Sequence, residues 1–159
     1  NEKTKQIRSR KNIKREKKGT MKDLIILRIV TKLIIPLILL FGLYVQFHGD
    51  YSPGGGFQAG VILASGFILY NIIFGINVGE DLLSQRLSKN LMGLGVLLFV
   101  GVGIAGMALG DNFLEYNSLG LNSKYGQIMG IFLVEVGVGL TVANVMILVF
   151  YAFNKGKVG

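Results

Sequence analysis

The chain has 159 residues, of which 51% are hydrophobic and only 16% charged, where a soluble domain carries roughly 25% charge. It has no cysteine, which excludes disulfides, thiolate metal sites, haem attachment and a cysteine nucleophile, and its single histidine excludes a multi-histidine metal or haem site within the chain. The net charge of +8 does not indicate nucleic acid: twelve of the seventeen Lys and Arg fall in residues 1–32, and beyond residue 20 eight Lys/Arg stand against seven Asp/Glu.

Residues 1–20 read NEKTKQIRSRKNIKREKKGT. They carry almost no apolar residues and no periodicity, which predicts disorder. Met21 opens a normal-looking start, Met-Lys-Asp-Leu-Ile-Ile, so the basic tract reads as an extension that is not native. An arm for RNA or anionic lipid is the alternative. No signal-peptide pattern is present, because the apolar run that follows is too long and lacks a small-residue cleavage site.

Four apolar blocks follow, at 24–47, 57–76, 91–109 and 127–153. Each is close to or above the roughly 20 residues that cross a ~30 Å hydrocarbon core. The expected fold is an all-α integral membrane protein of four transmembrane helices, spanning 21–153 and ending in a short tail, 154–159. In the first span Arg28 and Lys32 share a helix face and snorkel to the headgroups or pair with a partner subunit. Pro36 predicts a kink.

Between the first two blocks lies His48-Gly49-Asp50-Tyr51-Ser52-Pro53-Gly54-Gly55-Gly56-Phe57. Three glycines after a proline cannot be ordinary helix, since each costs about 1 kcal/mol there relative to alanine. Such a turn at a membrane boundary is tolerated where protein or water covers its backbone. Ser52-Pro53 reads as an N-cap with proline at the first helical position. His48 could order this turn or relay protons; with Asp50 it makes two ligands at most, which is not a metal site.

The loop 77–90 is polar, with a short amphipathic piece expected over 80–89. The third and fourth blocks are rich in glycine, and small-xxx-small pairs occur at Gly56/Gly60, Gly106/Gly110 and Gly126/Gly130. In lipid such residues let helix backbones approach closely. The basic residues Arg86, Lys89, Lys155 and Lys157 and the N-terminal tract lie on one side of the four spans, and the glycine turn lies on the other. Both termini are therefore expected in the cytoplasm.

Glu135 is the only acidic residue inside a span. It lies eight residues beyond Gln127, about 12 Å along the helix. An ionised carboxylate at that depth costs at least ~2.5 kcal/mol unless it is paired or protonated. Two readings stand: a carboxylate that binds a proton or cation, and a neutral or paired structural acid. Gly139, one turn on, is expected to keep the same face open. Asn144 falls on the opposite side and serves another contact.

The stretch FHGDYSPGGGFQAGVILASG resembles the signature loop and following helix of the MnhB-type subunits of the multi-subunit Mrp-type (Mnh) sodium/proton antiporters. Residues 130–142, GIFLVEVGVGLTV, resemble that family's last helix, with its glutamate at Glu135. The resemblance covers about 21–153. Residues 1–20 have no counterpart in it, and Asp50 stands where His or Asn is expected.

The resemblance implies a component of a bacterial inner-membrane antiporter, driven by the proton gradient, with no nucleotide or redox cofactor on this chain. Implied partners are the A, C, D, E, F and G type subunits, membrane lipid, protons and sodium. Glu135 would be the ion-handling carboxylate, with His48 and Asp50 beside it, and Ser52, Pro53, Gly54, Gly55 and Gly56 would shape an outer vestibule. A purely structural scaffold within that complex, or a B-type module of a hydrogenase or other complex I-related assembly, are the alternatives.

Overall fold

Apolar residues alternate with short polar breaks so that no segment except a helix can satisfy its own backbone in lipid. The computed structural model describes residues 2–49, 54–110, 112–116 and 123–155, with side-chain surroundings over 25–49, 54–110, 112–116 and 125–154. Five helices occupy them: α1 Glu2–Phe47, α2 Gly56–Phe74, α3 Ile76–Leu82, α4 Gln85–Ala108 and α5 Ser123–Lys155. Four stretches are long and apolar enough to cross a membrane: Ile25–Phe47, Gly56–Phe74, Gln85–Ala108 and Tyr125–Asn154. The chain is thus an all-α membrane protein with four spans. Most large apolar side chains of α1 face outward, among them Leu33, Leu37 and Leu40. That suits lipid or neighbouring helices, where packing rather than exclusion of water sets association.

α5 is the centre of the bundle. It packs on α2 and on α4, and α2 packs in turn on α1. α2 and α5 run in the same direction, because Gly56 lies against Glu135 and Gly139, Gly60 against Gly139 and Val142, and Phe67 against Tyr151. α4 runs the other way: a Cβ on Gly95 would stand 2.7 Å from the Gly137 carbonyl and 2.9 Å from the Thr141 nitrogen. α1 opposes α2, with Gly42 at Leu63 and Gly66 at Ile38 and Leu39. This up-and-down order brings the glycine turn and the loop after α4 to one end. α3 lies at the other. A small apolar core of Ala64, Ile147 and Tyr151 closes the α3 end, with Phe67, Ile76 and Leu83 packed on it.

Three boundaries differ from those expected of the sequence. Helix runs through the basic tract from Glu2, where disorder was expected. Lys, Arg, Glu and Gln are good helix formers, and the first glycine comes only at Gly19. The expected single amphipathic piece over 80–89 is two elements. α3 ends at Leu82, and Ser84 caps α4 by accepting from the Leu87 nitrogen at 3.2 Å. α2 begins at Gly56 with Gly55 at the cap position, so the cap is not the expected Ser52-Pro53. Ser52, Pro53 and Asp50 lie outside the described residues. α1 passes Pro36 as one continuous helix.

Candidate ion-handling site

The glycine turn folds onto the glutamate. A Cβ on Gly49 would overlap both carboxylate oxygens of Glu135, and one on Gly55 would lie 3.0 Å from Glu135 Oε1. A Cβ on Gly56 would overlap the Glu135 carbonyl and stand 3.0 Å from the Gly139 nitrogen. Only residues without a side chain allow this approach. Gly55 has a second reason to be glycine: its φ of 100° and ψ of −174° are open to glycine and very little else.

Two sequence features converge here. The half-buried Glu135 carboxylate sits at the N-terminal end of α2, where no side chain caps the helix. A helix N-terminus carries unsatisfied N–H groups and the positive end of the helix dipole, so it favours a negative charge. The carboxylate thus has a favourable electrostatic setting despite lying about 15 Å along the span from Tyr125.

His48 follows the last residue of α1 and precedes Gly49. Its Nδ1 donates to the Tyr44 carbonyl at 3.0 Å, and its ring stacks on Tyr44 with centroids 4.1 Å apart. That bond fixes the proton on Nδ1 and leaves Nε2 as the basic nitrogen. His48 is exposed and belongs to the rim of the site, while Gly49 makes the carboxylate contact. A Cβ on Gly54 would stand 3.2 Å from Val45 Cγ1, so the turn lies back against α1.

Gln46 was missed by the sequence reading. It is buried, at 7% exposure, and its Oε1 occupies the space that a Cβ on Gly139 would need. The face expected to stay open one turn beyond Glu135 is therefore filled, by the Gln46 amide and by the α2 backbone at Gly56. Gln46 Nε2 is buried with no hydrogen-bond partner among the described residues. An orphan amide donor at that depth costs about 1–3 kcal/mol. The signal for it was a lone glutamine in an otherwise apolar run, two residues before His48.

The loop after α4 covers the same end of the bundle. Asn112 donates through its side-chain amide (2.7 Å) and its backbone nitrogen (3.2 Å) to Glu115 Oε2. The Glu115 carbonyl packs on Gly106, and the Tyr116 ring on Gly130. Burial there pushes the Tyr116 hydroxyl above the ordinary tyrosine range. At the outer edge Phe47 stacks on Phe132, centroids 6.0 Å apart, and joins the end of α1 to α5 three residues before Glu135.

A carboxylate set against close-packed glycines at a helix N-terminus has the chemistry to accept one proton or one small cation. Comparison with known proteins bears on which. The sequence profile described as "Domain related to MnhB subunit of Na+/H+ antiporter" matches residues 26–148. The chain is 34% identical over 137 residues to an antiporter subunit designated mnhB2 of Staphylococcus epidermidis, covering 84% of this chain and 96% of that protein. It is 37% identical over 137 residues, with the same coverage, to the protein of that designation in Staphylococcus aureus.

Proposed function

The chain belongs to the family of domains related to the MnhB subunit of Na+/H+ antiporters, and on that footing we propose that Glu135 is its ion-handling group and that the glycine turn is the gate above it. The protein is a multi-pass membrane subunit of a multi-subunit Na+/H+ antiporter. It works with other antiporter subunits, and we assign these to the A, C, D, E, F and G types. We place it in the bacterial inner membrane with residues 1–20 and the tail after 153 in the cytoplasm, because the basic residues gather on that side. The turn 49–56 then faces outward. The working domain is 21–153, and its role is transport rather than catalysis, with no resident cofactor.

One observation carries the reading: the one carboxylate that the sequence places inside a span lies against Gly49, Gly55 and Gly56 of the glycine turn. A carboxylate that holds a proton cannot hold sodium at the same time. This mutual exclusion is the elementary requirement for exchange. Protonation would leave a neutral acid that fits the apolar surroundings, and ionisation would be supported by the α2 N-terminus. His48 and Asp50 would pass protons or cations between the outer water and the carboxylate. Ser52, Pro53, Gly54, Gly55 and Gly56 would keep the lid thin.

A scaffold reading is favoured by the same close packing of Gly49, Gly56 and Gly139 around Glu135, which makes the contact a key between α1, α2 and α5. Exchange and assembly measured together on Glu135→Gln separate the two. Ion handling requires loss or a pH shift of exchange in a complex assembled at normal level. A scaffold requires loss of the complex itself.

A further inference from the structure

The last turn of α1 brings a second polar group to the face of α5 that carries Glu135. Gln46 is 7% exposed, and its Oε1 fills the space of a Cβ on Gly139, with Cδ 3.3 Å from that point. The Gly56 carbonyl closes the same spot from α2, at 3.2 Å. Gly139 lies one turn after Glu135, and positions so spaced share a helix face with about 5–6 Å between their Cβ atoms. The Gln46 amide is thus about as far from the Glu135 Cβ as a glutamate side chain and one hydrogen bond can reach. Gly49, three residues after Gln46, meets the carboxylate itself. The end of α1 therefore brackets Glu135, with bare backbone on the turn side and an amide on the bundle side. The oxygen of that amide is packed on Gly139, while its Nε2 is buried with no hydrogen-bond partner among the described residues.

We propose that Gln46 is a positioning residue of the exchange site, its Nε2 donating to the Glu135 carboxylate, directly or through one water, when that carboxylate has released both proton and sodium. This rests on the reading of Glu135 as the ion-handling group and supplies the partner of the empty site. A carboxylate with neither proton nor cation is costly in apolar surroundings, and so is a buried amide donor without an acceptor. One hydrogen bond between them relieves both. An incoming proton or sodium ion competes with that bond for the same oxygens. An amide does not titrate, so it remains a donor at every working pH. Of the described side chains at this end of the bundle, those that titrate are Tyr44 and His48 at the end of α1, Glu115 and Tyr116 in the loop after α4, and Tyr125 in α5. Neither α2 nor the part of α4 after Asn90 brings an acidic or basic side chain, and Asp50 lies outside the described residues.

The test is the kinetics of exchange by the assembled complex carrying Gln46→Met, which keeps the length of the side chain and removes the donor. Without the donor the empty carboxylate is less stable, so each ion is held more tightly. At alkaline pH, where protons do not compete, the KM for sodium should fall about tenfold, the scale of one hydrogen bond to a charged group. The pH profile of exchange should move upward by about one unit. A rise in KM would make the amide oxygen a sodium ligand and overturn the proposal, as would a fall in Vmax alone or unchanged kinetics. If Gln46→Met fails to assemble, the unaltered complex is imaged at alkaline pH without sodium and at acid pH. A carboxylate oxygen bonded to Gln46 Nε2, directly or through one water, at alkaline pH alone supports the proposal; any other arrangement overturns it. Glu135→Gln measured alongside keeps the two readings apart. Normal exchange there removes the role of Glu135, whereas lost exchange there with unchanged Gln46→Met kinetics removes only that of Gln46.

Discussion

Replacing Gly55 by alanine should impair exchange through the backbone of the turn and through Glu135 together. The backbone there holds φ at 100° and ψ at −174°, a region that side chains rarely enter and that costs of order 1–3 kcal/mol to impose. The new Cβ would also press on Glu135 Oε1 at 3.0 Å. The carboxylate can swing away only by leaving the end of α2, so the perturbation falls on the site itself. A shift of about 2 kcal/mol lowers the population of the native turn roughly thirtyfold relative to its alternatives. Gly93→Ala and Gly101→Ala are the controls, because a Cβ on either meets nothing within 4 Å and alanine is the better helix former. Sodium-induced recovery of a pH-gradient dye in inverted vesicles reads exchange, and native gels read assembly. Gly55→Ala should show a marked loss of exchange, with the controls unaffected. Equal exchange in all three would refute the argument that the turn is held against the carboxylate.

Gln46→Leu removes an orphan amide from the bundle and should leave the complex as stable as before or more so, while the pH optimum of exchange moves; an unchanged pH profile would show that Gln46 does not act on Glu135. Ser84→Ala deletes the cap of α4 and should cost about 1 kcal/mol, seen as a lower unfolding temperature of the complex with normal exchange per assembled unit. Cysteines placed at 51 and 117 should react with an impermeant reagent applied to whole cells. Reaction only in inverted vesicles would reverse the orientation.

The four spans were legible because length and hydropathy decide membrane crossing and need no knowledge of partners. Glu135 stood out for a similar reason, as the one carboxylate in apolar surroundings. The glycine turn could be recognised as special, but not what it touches. That Gly49 and Gly55 meet Glu135 depends on the crossing of α2 and α5 at Gly56, Gly60 and Gly139, which a single sequence does not display. Gln46 escaped notice because one glutamine near a helix end looks like a residue turned to water; packing on Gly139 turns it inward. Hydropathy alone also carried the loop 77–90 past Ser84, whose hydroxyl starts α4 six residues before the apolar block. The basic tract was read by its charge, although its Lys, Arg, Glu and Gln residues are also helix formers. Phe67 and Tyr151, far apart in the chain, become neighbours only through the parallel course of α2 and α5.

The central claim is that Glu135 handles the exchanged ion, and Glu135→Gln tests it most directly. Glutamine keeps the size and the hydrogen-bonding capacity of the side chain and removes its titration. The account predicts a complex present at normal level in the membrane, with sodium/proton exchange lost or its pH optimum displaced, and with Glu135→Asp milder because a carboxylate remains on a shorter arm. Loss of the complex from native gels would instead mark a structural pair, since a cation left buried without its partner costs about 3–5 kcal/mol. Normal assembly together with normal exchange across the full pH range would contradict the account.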